Sequence, residues 1–227
     1  MNSRPRRAWG TDMSEPGAAA SVPKSKASHE HDDRCTVLTL GHSTRSIEAF
    51  LDLLDAHHVT RVVDVRTVPR SRHNPQFNSA ALSGTLAGVN VGYTHAPGLG
   101  GFRRTTADSP NSGWRNRSFR GYADYMQTAE FAENIVSLIG LARRDRLALM
   151  CAEAVPWRCH RSLIADALVT HGVSTCEIVS STRLQPHKLT IFACVRGTDI
   201  TYPSENSGTS PVADMETDDP VARHRDP

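Results

Sequence analysis

Two cysteines stand near one another in this sequence, and the second carries a histidine and an arginine behind it: Cys151-Ala152-Glu153, then Cys159-His160-Arg161. A thiol at a helix start beside Arg and His gives up its proton more readily than a free thiol, and the thiolate is a nucleophile. Backbone N–H groups at such a start also bind an oxyanion or a phosphate. The residues therefore point to covalent chemistry. Cys151 or Cys159 attacks, His160 or His42 moves protons, and Glu153 orients one of them. The plainer alternative is that Cys151 closes a strand as a small apolar residue and Cys159 packs under the following helix.

Other polar residues gather before those thiols. Arg45, Arg66, Arg103 and Arg161 could hold an anion through paired N–H groups, with Ser43 and the Gly100-Gly101 turn beside them. Asp64 is either a general base or a buried acid paired with Arg66. Ser43 lacks the G-x-S-x-G surround, which argues against a hydrolase triad. Gly98-Leu99-Gly100-Gly101 matches neither a Walker loop nor G-x-G-x-x-G. Cys151, Glu153, Cys159 and His160 are all metal-ligand types, but their spacing matches no known zinc pattern, so no metal and no cofactor is expected. A Cys151–Cys159 redox pair is a further alternative. Cys176 and Cys194 fall in apolar runs and read as inert core. His57, His58, His73, His171 and His187 read as surface or capping residues.

Strands and helices must bring these groups together. Thr36–Leu40, Arg61–Val65, Val91–His95, Leu147–Cys151 and Ser174–Val179 read as five strands, with Leu189–Val195 as a sixth. Ser46 is the expected N-cap of a helix whose Ile47, Phe50, Leu51 and Leu54 recur at helical spacing. Further helices are expected over residues 79–87, 119–126, from Thr128 and over 159–171, the last stopped by Gly172. The stretch 97–117 is long enough to be a lid, with Trp114 as a stacking residue. Strand–helix alternation predicts an α/β fold: a mostly parallel sheet of five or six strands with helices on both faces. Ligands then sit beyond the carboxyl ends of the strands. Four strand exits carry His, Arg, Asp or Cys, which is the strongest functional signal in the sequence.

Composition bounds the rest. The 227 residues carry 26 basic and 24 acidic groups, a net charge of +2. Residues 1–34 and 198–227 lack apolar periodicity and are expected to be disordered tails, the second acidic, around a single domain at 35–197. That domain alone holds 18 basic and 12 acidic residues, and every basic residue in it but Lys188 is Arg. No apolar run is long enough for a membrane span, and the N-terminus lacks the apolar segment of a secretory signal, so a cytoplasmic protein with no membrane partner is expected. Five scattered cysteines are not a disulfide framework, and reduced thiols are expected. The oligomeric state is not legible.

The exit of the second strand resembles the Asp-Val-Arg segment of rhodanese-like domains. Six residues separate Cys151 from Arg158, one more than in the C-x5-R loop of phosphatases. A fuller resemblance joins TLGHSTR, VVDVRTVPRS, the Asn-Pro-Gln-Phe at 74–77, YTHAPGLGGFRR, FRGYADYM and LMCAEAVPWRCHRSLIA. Together they resemble the family known as domain of unknown function 488, over residues of about 37–180. The resemblance implies a compact cytosolic α/β domain, mostly bacterial, with no established reaction and a loose link to DNA repair. The matching polar positions are His42, Ser43, Arg45, Asp64, Arg66, Gly100, Gly101, Arg103, Tyr122, Cys151, Glu153, Cys159, His160 and Arg161. The leading expectation is an enzyme acting on a small anionic substrate that is nucleotide-like, phosphorylated or sulfur-bearing. A nucleic-acid-binding or repair accessory protein, and a ligand-binding domain without turnover, are the alternatives.

Overall fold

Short strands, the central ones buried along nearly their whole length, build the sheet. β1 (Val37–Gly41), β2 (Arg61–Asp64), β3 (Gly92–His95), β4 (Leu147–Cys151), β5 (Thr175–Ser180) and β6 (Arg183–Pro186) pair in the order β3-β2-β4-β1-β5-β6. Within this sheet only the β5–β6 pair is antiparallel. The computed structural model describes residues 35–204. The tail expected over 1–34, and all of the second tail after residue 204, lie outside the described residues.

The chain moves outward from β1 to β3 and then returns through β4 to β5. Because strand crossovers are right-handed, that reversal puts the connecting helices on opposite faces. α1 (Ile47–Ala56) and α2 (Ser79–Gly88) cover one face. α3 (Arg117–Tyr125), α4 (Ala129–Ala142) and α5 (Arg161–Thr170) cover the other. Both faces are buried, so β4 is apolar throughout and β1 nearly so. Leu147, Leu149 and Cys151 join the core on the α3–α5 side, while Ala148 and Met150 join the α1–α2 side. Cys151 thus points toward α5 because strand side chains alternate. The Ser46 hydroxyl caps α1 as expected, accepting from the Ala49 N–H at 3.2 Å.

Several expectations change. The sixth strand is Arg183–Pro186, an edge strand that folds back on β5, and not Leu189–Val195. That segment is mainly irregular, with a turn at residues 191–192 and Ile191 fully exposed. Only its end joins β7 (Cys194–Arg196), which pairs with β8 (Asp199–Thr201) around Gly197 at φ 62°. Ordered chain therefore continues beyond residue 197, where the domain was expected to end. Ile200 and Tyr202 are buried in the α3–α5 core. Tyr202 donates to the Asp166 carboxylate at 2.9 Å, and His187 binds the same carboxylate at 2.7 Å. His187 is thus a paired residue, and His57, also expected at the surface, is buried against the Ser180 carbonyl at 2.7 Å. Cys194, expected in a core strand, is exposed.

Cys35 and Cys176 form a disulfide, contrary to the expectation of reduced thiols. Cys35 lies two residues before β1, and its Cα stands 5.8 Å from that of Cys176 in β5. No helix among the described residues is long and apolar enough to cross a membrane.

Candidate functional site

The exits of β1, β2 and β4 open into one cavity of about 1120 Å³. Its floor holds Cys151, Cys159 and His160, and its walls include His42, Ser43, Arg66, Gly101, Arg103 and Glu153. Loops from distant parts of the chain do converge here. Close backbone packing makes this possible. A Cβ on Gly41 would stand 1.8 Å from the Glu153 carbonyl oxygen, so only glycine lets the loop after β4 cross the end of β1. A Cβ on Gly101 would stand 2.6 Å from Nδ1 of His160. Gly100 is packed the same way against Thr67.

The two thiols are unequal. Cys151 is held down to about 6, first by the hydrogen bond it accepts from Cys159 and then, against the effect of burial, by the N–H of Glu153, the charge of Arg161 and the N–H of Ala152. Cys159 is pushed far up by donating that bond and by burial. His160 sits 3.8 Å from the Cys159 sulfur through Nδ1, and its Nε2 donates to the Val65 carbonyl at 3.1 Å. Burial lowers this imidazole to about 4, so it is neutral at pH 7. The two sulfurs and a His160 nitrogen lie within 4.8 Å of one another, close enough for one soft cation. The guanidinium groups around them favour an anion instead.

Other expected site residues are held in contacts within the protein. Asp64 is fully buried, is absent from the cavity wall and grips Arg66 through both oxygens, at 2.8 and 2.5 Å. Tyr93 donates to the same carboxylate at 2.8 Å. Arg66 also donates to the Phe77 carbonyl at 2.7 Å and meets His42 Nε2 at 3.2 Å. His42 donates through Nδ1 to the Ser43 carbonyl at 2.9 Å and stacks on Phe77. With both nitrogens engaged, it orients Arg66. Arg161 is fully buried, binds the carbonyls of Glu153 and Ala154, and pairs with Glu177 at 2.9 Å. It holds the loop after Cys151 and borders a second cavity together with Arg45, whose guanidinium binds the Gly41 carbonyl. Tyr122 is buried beneath the site and donates to the Leu99 carbonyl at 3.0 Å. Glu153 accepts from the Val155 N–H at 3.1 Å and braces its own loop. Arg103 binds the Gly98 and Gly100 carbonyls and lies over Tyr125 at 3.5 Å.

The cationic groups left open in the cavity are Arg70, Arg104 and Arg158, beside the exposed carboxylate of Glu153. None of their guanidinium groups has an ion pair or hydrogen bond among the described residues. They lie in the strand-exit loops, where the sequence shows them without separating them from the paired arginines. Asp124 carries no motif that marks it in the sequence. Its carboxylate takes the Thr106 N–H and the Asn111 amide, each at 2.8 Å, and the Ser109 hydroxyl. The stretch expected to be a lid is therefore pinned. Trp114 packs among Phe119, Phe192 and Tyr202.

A family model described as domain of unknown function DUF488 matches residues 46–168, more than half of the chain. The chain belongs to the DUF488 family. No curated protein and no solved structure matches it. Both thiols, His160 and the three open arginines of this DUF488 domain fall inside the matched span, whereas Gly41, His42, Ser43 and Arg45 precede it.

Proposed function

We propose that this DUF488 domain is a cysteine-dependent enzyme that forms a covalent bond between Cys151 and a small anionic substrate. The observation that carries the reading is a hydrogen-bonded thiol at the floor of a cavity whose unpaired charged groups include Arg70, Arg104 and Arg158. The guanidinium groups bind the anion and hold its electrophilic atom over the sulfur. The N–H groups of Ala152 and Glu153 and the S–H of Cys159 keep Cys151 as thiolate. Arg161, His42 and Arg66 act through other residues: they fix the loops that form the walls.

Alkylation tests this directly. The reacting species is the thiolate, so labelling of Cys151 should rise with pH through about 6 and level off above it. An ordinary thiol would not level off until above about 8.5. Cys194 is an exposed internal standard. At pH 6.5, iodoacetate should label Cys151 before Cys194, and Cys151→Ser should abolish that fast phase. Labelling of Cys194 first would overturn the reading.

A second reading has one observation in its favour. Phe102 is 85% exposed and Trp157 75% exposed, and the first lines the cavity beside the free arginines. Exposed aromatics among arginines suit stacking on single-stranded nucleic acid. Such binding would weaken steeply with salt as each phosphate contact is lost.

A further inference from the structure

The nucleophile has a second thiol within reach, and that thiol has a base beside it. The Cys151 and Cys159 sulfurs and a His160 nitrogen all lie within 4.8 Å of one another. His160 Nε2 donates to the Val65 carbonyl, which accepts only, so its Nδ1 carries a lone pair and faces the Cys159 sulfur at 3.8 Å. We propose that Cys159 is a resolving thiol and that the domain reduces anionic low-molecular-weight disulfides through a Cys151–Cys159 disulfide. This rests on Cys151 being the nucleophile. It adds the substrate class and the fate of the covalent intermediate.

The chemistry selects the substrate. Attack by Cys159 on the Cys151 sulfur is productive only when that sulfur carries a sulfur or oxygen leaving group. An acyl or phosphoryl group on Cys151 would gain nothing from a neighbouring thiol. A bare peroxide would need neither a cavity of about 1120 Å³ nor free guanidinium groups. A disulfide with carboxylate-bearing arms uses all three features. In the first step the Cys151 thiolate attacks one sulfur of R–S–S–R, forms the mixed disulfide and expels R–S⁻. In the second, Cys159 gives its proton toward His160 Nδ1 and attacks the Cys151 sulfur, and the second arm leaves as R–S⁻. The proton passes on to a released thiolate. The protein loses two electrons as a dithiol and the substrate gains them as two thiols. The unequal acidities of the two thiols agree with this division of labour.

Trypsin makes the test simple, because Cys151 falls in peptide 147–158 and Cys159 in peptide 159–161. The full chain, carrying Cys194→Ser throughout so that the exposed thiol does not add to the count, is treated with glutathione disulfide as the anionic probe and with hydroxyethyl disulfide as the neutral one. Free thiols are then blocked with iodoacetamide and the peptides weighed. The wild type should yield peptides 147–158 and 159–161 joined, with two thiols released per chain. Cys159→Ser should stop at a mixed disulfide on Cys151 with one thiol released. Reaction with the anionic probe should be about tenfold faster and should lose that lead in high salt. A wild type that stops at the mixed disulfide overturns the resolving role, and so does a chain that takes up iodoacetamide but neither disulfide. In both cases Cys151 remains the nucleophile. A Cys151 inert to every reagent removes both readings together.

Discussion

Arginine does two opposite jobs within a few ångströms of this cleft. In the lower layer, Arg66 in the cavity wall and Arg161 behind it are buried and surrounded by acceptors: Asp64, Phe77 and His42 for one, and Glu153, Ala154 and Glu177 for the other. On the rim, Arg70, Arg104 and Arg158 face the cavity without partners among the described residues. A buried charge must be satisfied by the protein, whereas a solvated one stays available to a ligand. The lower layer therefore fixes the shape of the site, and the upper layer gives it affinity.

Breaking the lower layer should cost most. Arg66→Met leaves the Asp64 carboxylate buried and unpaired, and should lower stability in urea by about 3–5 kcal/mol. A loss below about 1 kcal/mol would mean that Asp64 finds water or another donor. Asp166 offers a milder version of the same test. Tyr202→Phe removes one of its hydrogen bonds and should cost about 1 kcal/mol, read as a shift of the urea midpoint at constant slope. The rim should behave in the opposite way. Arg104→Ala with Arg158→Ala should leave stability within about 0.5 kcal/mol per site. The same pair should slow alkylation of Cys151 by iodoacetate more than by neutral iodoacetamide. Equal slowing by both reagents would show that these arginines shape the cavity and do not draw anions.

Much of this arrangement was legible in the sequence, and the reasons are local. Strand periodicity and caps such as Ser46 depend on near neighbours, so five parallel strands and the helices between them could be read. β6 could not, because Arg183–Pro186 is an exposed edge strand without an apolar alternation. Leu189–Val195 misled for the converse reason: its apolar residues look like a strand, yet Ile191 faces solvent. For the site, the sequence placed the thiols, imidazoles and arginines at the strand exits. It could not tell paired arginines from free ones, because pairing depends on contacts across the fold. Arg66 meets the carbonyl of Phe77 and the ring of His42, and Arg161 meets Glu177. The pinning of 97–117 by Asp124 was hidden for the same reason.

The small hairpin of β7 and β8 has a practical consequence. Ile200 and Tyr202 share one core with both thiols, although neither borders the cleft. A shortened protein ending at residue 197 would retain every side chain of the cavity and still lose the support beneath it, so a weakly active truncation would reflect a sagging foundation and say nothing about catalysis.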